Sequence, residues 1–147
     1  DADTEGLRDL LNINVVAPHI INQAVLPHML PGSSIIYVGS TLSEKAVANT
    51  YSYVITKHAV VGMMRSTCQD LSGTGIHTAC ICPGFTNTEM LRTHVGDDPE
   101  ILQNIAAAST FSRLVEPQEI AQAIHFAAEH PVINGAVLHA NLGQVEH

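Results

Sequence analysis

Ser34-Ile35-Ile36-Tyr37-Val38-Gly39 decides the fold of this chain. The run is apolar, rich in β-branched residues and too short for a helix. Pro31-Gly32 precedes it and a polar loop reaching Asn49 follows it, so it predicts a strand buried on both faces. His77-Thr78-Ala79-Cys80-Ile81-Cys82 repeats the pattern between the turn residues Gly73 to Gly75 and the stop Pro83-Gly84. Ala136-Val137-Leu138-His139-Ala140, after Gly135, gives a third strand.

Helical spacing fills the intervals. From about Thr4 to Leu30, Leu7, Leu10, Leu11, Asn14, Val15, Ile20, Ile21, Ala24, Val25 and Met29 predict a helix that Pro18 and Pro27 interrupt. Thr50 or Ser52 can cap a second helix running to about Leu71, with Val54, Ala59, Val60, Met63 and Met64 on a broad apolar face. A polar, helix-biased stretch from Asn87 to Phe111 reads as a mobile lid. Glu116-Pro117-Gln118-Glu119 then opens a helix through Ile120, Ala123, Ile124 and Ala127. The order α-β-α-β-lid-α-β predicts an α/β fold: a partial doubly wound parallel sheet of about three strands, with right-handed crossovers, in a single domain over residues 1–147.

Composition sets the function classes aside. The chain has 147 residues, with 6 Lys and Arg against 14 Asp and Glu, a formal charge of −8. That balance argues against nucleic acid and against an anionic membrane surface, both of which select clustered cations. No apolar run approaches the roughly 20 residues of a membrane span. Cys68, Cys80 and Cys82 lack scaffold spacing and predict a reducing, cytoplasmic setting. The nine histidines offer no helical metal pair, so no metal is expected; Cys80 and Cys82, alternating onto one strand face, read as core. Gly73-Thr74-Gly75 follows a helix and precedes a strand, the reverse of a phosphate loop, and is a turn.

Ligands of parallel α/β sheets sit beyond the carboxyl ends of the strands. Ser40 follows the first strand there, and Pro83 to Thr88 follow the second. On the helix between them Tyr53 and Lys57 are four apart and share a face, whereas Tyr51 points elsewhere. An ammonium beside a phenol favours the phenolate, which suits Tyr53 to acid/base work, and the Ser40 hydroxyl can hydrogen-bond a carbonyl oxygen. Proton transfer at a C–O centre, coupled to hydride delivery by a cofactor, is the chemistry this set serves.

These residues resemble the short-chain dehydrogenase/reductase family. Tyr53-Val54-Ile55-Thr56-Lys57 matches its Y-x-x-x-K, with Ser40 thirteen positions upstream of Tyr53. Ile13-Asn14-Val15 with Leu26-Pro27-His28-Met29 is similar to the helix that contributes its asparagine. Pro83-Gly84-Phe85-Thr86-Asn87-Thr88 matches P-G-x-x-x-T, and Arg113 with Glu116 to Ala121 is similar to its penultimate helix. Asn141-Leu142-Gly143 stands where many members have Asp-Gly-Gly.

The resemblance covers the C-terminal part of a Rossmann-type fold and implies roles. Tyr53 is the acid/base, Ser40 polarises the substrate oxygen, Lys57 binds the nicotinamide ribose, and Asn14 anchors a relay water. Pro83, Gly84, Phe85 and Thr88 line the nicotinamide side, with Tyr53 and Lys57 also facing the cofactor. Thr88 could equally cap the lid helix, and Asn14 could be a plain buried amide. Pro18 has no N–H, which leaves the Asn14 carbonyl without its helical donor and open to that water.

NAD or NADP is the implied cofactor, and a small carbonyl or alcohol compound the substrate. The first two helices are implied to form a homodimer or homotetramer. The four-residue Tyr-to-Lys spacing favours a carbonyl reductase or alcohol dehydrogenase over an enoyl reductase, and Phe85, Met90, Leu91, Ile101, Leu102 and Phe111 imply an apolar substrate pocket. No Gly-rich strand-to-helix turn is present, so the phosphate-binding half is expected to precede Asp1, which begins as a cut piece would. The alternative is a truncated, cofactor-free module that acts only by self-association.

Overall fold

The computed structural model describes residues 3–144. Asp3, in extended backbone, caps α1 (Thr4–Leu11) by accepting the Gly6 N–H at 2.8 Å. The chain then widens into a π turn over Asn12–Val16, where the Ala17 N–H reaches back five residues to the Asn12 carbonyl, and continues as α2 (Ala17–Val25). Pro18 is the cause: it offers no N–H to the carbonyl four residues earlier, so the ladder shifts register there. The single interrupted helix expected to about Leu30 is therefore two helices about a π turn, closed by a 3-10 turn at Leu26–His28 around Pro27.

β1 (Ser34–Val38), a 3-10 turn at Thr41–Ser43, α3 (Tyr51–Asp70) and β2 (His77–Pro83) follow. Next come α4 (Glu89–Val95), α5 (Pro99–Ala106), α6 (Pro117–Glu129) and β3 (Val137–Ala140). The sheet runs β1-β2-β3, all parallel, with Tyr37 opposite Cys80 and Cys80 opposite Val137.

Helices cover both faces. On one, Val60, Val61 and Met64 of α3 pack against Tyr37, Cys80 and Cys82; on the other, Ala127 of α6 packs against Ala79 and Ile81. Met64 is fully buried, worth about 1.5–3 kcal/mol relative to exposure. The Tyr37 hydroxyl, buried with its ring, accepts from Asn22 Nδ2 at 2.6 Å and shares a proton with Thr67 Oγ1 at 2.8 Å, tying α2, β1 and α3 together. β2 is buried from His77 to Cys82, as its apolar run demands.

Two expectations change. β1 is not buried on both faces: Tyr37, on the face covered by α3, is buried but Val38, on the other, is 45% exposed, and among the described residues β1 is an edge strand of the sheet. Nor does a side chain cap α3. Thr50 turns its hydroxyl back to donate to the Val47 carbonyl at 2.8 Å, and Ser52 sits inside the first turn with its buried Oγ unpartnered. At α6 the expected start is found, with Pro117 in the first turn and Glu116 and Glu119 forming a capping box. No helix among the described residues is long and apolar enough to cross a membrane.

Candidate active site

β1 delivers Gly39 and Ser40 to the carboxyl end of the sheet. The Gly39 N–H continues the ladder to the Ile81 carbonyl at 2.8 Å, which fixes where the chain leaves β1. Gly39 has to be glycine: a Cβ there would lie 2.6 Å from Ser43 Oγ and 2.8 Å from Cys82 Sγ. Ser40 is the N-cap of the following 3-10 turn, and its Oγ accepts the Leu42 N–H at 3.1 Å. A lone pair is thus engaged by the backbone, which leaves the hydroxyl proton for donation outward.

α3 brings Tyr53 and Lys57 to the same end. Lys57 Nζ donates to the Val38 carbonyl at 3.2 Å, two residues before Ser40, and stands 5.6 Å from the centroid of the Tyr53 ring. Burial pushes the Lys57 ammonium below its ordinary range, and the Cys80 and Cys82 thiols draw it partly back. Tyr53 is 38% exposed, accessible to a ligand, whereas Tyr51 at 66% turns to solvent.

Asn14 joins through a residue the sequence did not single out. Its Nδ2 donates to Thr56 Oγ1 at 3.0 Å, and the Thr56 hydroxyl donates to the Tyr53 carbonyl at 2.9 Å. Thr56 is fully buried and is the link between the π turn and the helix carrying Tyr53. Its place inside Y-x-x-x-K, facing the same side as Asn14, is a signal that side-chain periodicity could have revealed. Asn14, Tyr53, Lys57 and the Val38–Ser40 segment therefore form one connected group.

The segment after β2 is held separately. The Gly84 N–H bonds to the Ala140 carbonyl at 3.1 Å, and a Cβ on Gly84 would meet Asn141 Cβ at 2.8 Å and Cα at 2.9 Å. Thr88 caps α4, accepting the Leu91 N–H at 3.3 Å and donating to the Thr86 carbonyl at 3.4 Å. The neck of the segment carrying α4 and α5 is pinned on both sides. Val115 N–H donates to the Phe85 carbonyl at 2.9 Å and Asn87 N–H to the Val115 carbonyl at 2.8 Å, while Asn87 Nδ2 reaches the Glu116 carboxylate. Asn87 also accepts from Arg92. Beyond this neck Met90, Ile101 and Phe111 are exposed, as is Phe85 beside it, giving an apolar rim. Phe85, Ile105, Ser109, Val115 and Asn141 also line a small cavity beneath the lid.

A half-buried amine, an exposed phenol and the exposed face of Phe85 fit the nicotinamide and ribose end. Neither the sequence nor the described turns supply a Gly-rich loop opening a helix after a strand, so the phosphate end has no counterpart here.

A family model described as enoyl-(acyl carrier protein) reductase matches residues 1–144. Over 135 residues the chain is 34% identical to 2-keto-3-deoxy-L-fuconate dehydrogenase of Xanthomonas campestris, covering 87% of this chain and 45% of that enzyme. It is 32% identical over 141 residues to the 3-oxoacyl-[acyl-carrier-protein] reductase FabG of Vibrio harveyi, covering 92% and 56%. The chain spans about half the length of these relatives. Among solved structures, the angucycline C-6 ketoreductase LanV with bound NADP superposes with TM-score 0.86 at 26% identity, covering 97% of this chain and 55% of that one. A short-chain dehydrogenase family protein of Francisella tularensis, at 23% identity, shares the fold with TM-score 0.92 over 97% of this chain and 63% of its own.

Proposed function

Because this chain belongs to the short-chain dehydrogenase/reductase family of oxidoreductases, we propose that it carries the catalytic part of a nicotinamide-dependent carbonyl reductase or alcohol dehydrogenase. The observation that carries the proposal is the Lys57 bond to the Val38 carbonyl, which ties the face bearing Tyr53 to the strand end bearing Ser40. Ser40, with its acceptor side taken by Leu42 N–H, donates to the substrate oxygen as that oxygen gains negative charge. Tyr53 passes it the proton in reduction and removes it in oxidation.

Lys57, Tyr53, Pro83, Gly84, Phe85 and Thr88 would hold the nicotinamide end of NAD or NADP, Lys57 through ribose hydroxyls. Bound there, the cofactor supplies or accepts the hydride. Lys57 returns a proton to Tyr53 through a water on the Asn14 carbonyl, which Pro18 leaves without its usual helical donor. This sequence has no Gly-rich strand-to-helix turn of the kind that would cradle the cofactor phosphates. The exposed apolar side chains Ile13 and Val16 of the π turn and Ile20, Ile21 and Val25 of α2 support a homodimer or homotetramer through the helical segment Thr4 to Leu30 together with α3.

The test is reduction of a panel of neutral ketones by NADH and NADPH, followed by loss of the reduced nicotinamide, in the full-length enzyme. Turnover of at least one apolar ketone is the expected result. Failure to bind either cofactor would instead favour a cofactor-free module acting by self-association.

A further inference from the structure

Gln144 follows β3, and its Oε1 is a buried acceptor without a hydrogen-bond partner. The backbone around it is fixed. Gln144 bridges to Ser109, the Thr110 N–H donates to the Leu142 and Gly143 carbonyls at 3.2 and 3.1 Å, and Thr110 Oγ1 donates to the Leu142 carbonyl at 2.9 Å. A Cβ on Gly143, whose φ is +63°, would stand 2.7 Å from Thr110 Oγ1, so glycine lets the two segments close. Gln144 lines a cavity of about 10 Å³, room for a single water-sized group, whose apolar walls are Phe85, Ile105, Ala108 and Val115. The other polar side chains there are engaged. Ser109 Oγ donates to the Arg113 carbonyl at 2.9 Å, the Arg113 guanidinium grips Glu119, and Asn141 Oδ1 accepts the Gly143 N–H at 3.1 Å.

An acceptor left unpaired in apolar surroundings is costly, and a donor of hydroxyl size that enters restores the bond that burial took from it. Such a site discriminates, because an analogue lacking the hydroxyl leaves the acceptor unpaired. Phe85 also belongs to the proposed nicotinamide site, and the order β1-β2-β3 puts the ends of β1 and β3 two strand spacings apart, roughly 10 Å. We propose that Gln144 Oε1 accepts a hydrogen bond from a substrate hydroxyl, selecting ketones that carry a hydroxyl several carbons from the reacting carbonyl. The inference rests on the oxidoreductase reading above and narrows its substrate class.

The test is steady-state reduction, by the full-length enzyme with NADH or NADPH, of straight-chain methyl ketones of increasing length and of the same chains ending in a hydroxyl. At the length that fits, the hydroxylated ketone should show a kcat/KM about tenfold to a hundredfold higher than its plain counterpart. Gln144→Met, which keeps the side chain's length and removes the acceptor, should bring that preference to within about twofold of unity. Equal kcat/KM for the two series in wild type overturns the inference and leaves the activity standing, as does a hydroxyl preference that survives in Gln144→Met. Reduction of neither series overturns the activity reading, and the inference with it. Should Gln144→Met fail to fold, Gln144→Asn decides: withdrawing the amide by one methylene should move the best hydroxylated ketone to a longer chain, and an unchanged optimum overturns the proposal.

Discussion

Gly84→Ala tests how closely the ends of β2 and β3 approach beneath the proposed nicotinamide site. The added Cβ would stand 2.8 Å from Asn141 Cβ and 2.9 Å from Asn141 Cα. Carbon atoms rest about 3.5–4.0 Å apart, so the shortfall is roughly 0.6–1.2 Å. One of the two atoms is backbone, so no side-chain rotation relieves the overlap. Overpacking of this kind costs about 1–3 kcal/mol. Forcing the strands apart also loosens the Gly84 N–H to Ala140 carbonyl bond, 3.1 Å long, worth about 0.5–1.5 kcal/mol. The expected loss is therefore roughly 2–4 kcal/mol. Urea denaturation supplies the number from the change in midpoint at constant m. Gly62→Ala is the matched control: it lies inside α3 with no heavy atom within 4 Å of an added Cβ, so it should gain about 0.5–1 kcal/mol. A Gly84→Ala protein within about 0.5 kcal/mol of wild type would refute the close approach.

Two further perturbations follow from the charges. Burial lowers the folded-state Lys57 pKa below the usual 10.5, so the protonated amine is less favourable in the folded protein than in the unfolded chain. Between the two pKa values the unfolded chain binds more protons and stability rises with pH; Lys57→Met should hence be more stable than wild type near neutrality, with the advantage shrinking as pH climbs toward 10.5. An advantage independent of pH in denaturation series would contradict this. Glu119 receives two bonds from Arg113, at 2.7 and 2.8 Å, and one from the Glu116 N–H, which hold its carboxyl down at about 2. Its contribution is present above the ordinary carboxylate range and disappears as pH falls through about 2, so wild type and Glu119→Gln should converge in acid denaturation there.

Much of this architecture was legible because local pattern and tertiary burial agree. β2 reads as a buried strand and is one, and α3 and α6 begin and end within a residue or two of their periodic stretches. β1 misled because burial of a strand depends on neighbours that its own sequence does not contain: Ile35, Ile36 and Val38 are apolar, yet among the described residues β1 is an edge strand. Pro18 marked a break in the first helix, but its form, a π turn that lets Asn14 reach Thr56, depends on how the ladder shifts register. Spacing put Tyr53, Lys57 and Ser40 forward as candidates. Thr56 was not among them, since a hydroxyl that links two other residues has no signature until the elements around it are in place.

The central claim is that Tyr53 exchanges the proton at the carbonyl oxygen. Its most direct test is ketone reduction by wild type and Tyr53→Phe in the full-length enzyme, with nicotinamide binding titrated in both. The account predicts that removing this one hydroxyl cuts turnover by about a hundredfold or more while cofactor affinity is kept. Turnover by Tyr53→Phe at near the wild-type rate, with the cofactor still bound, would contradict it.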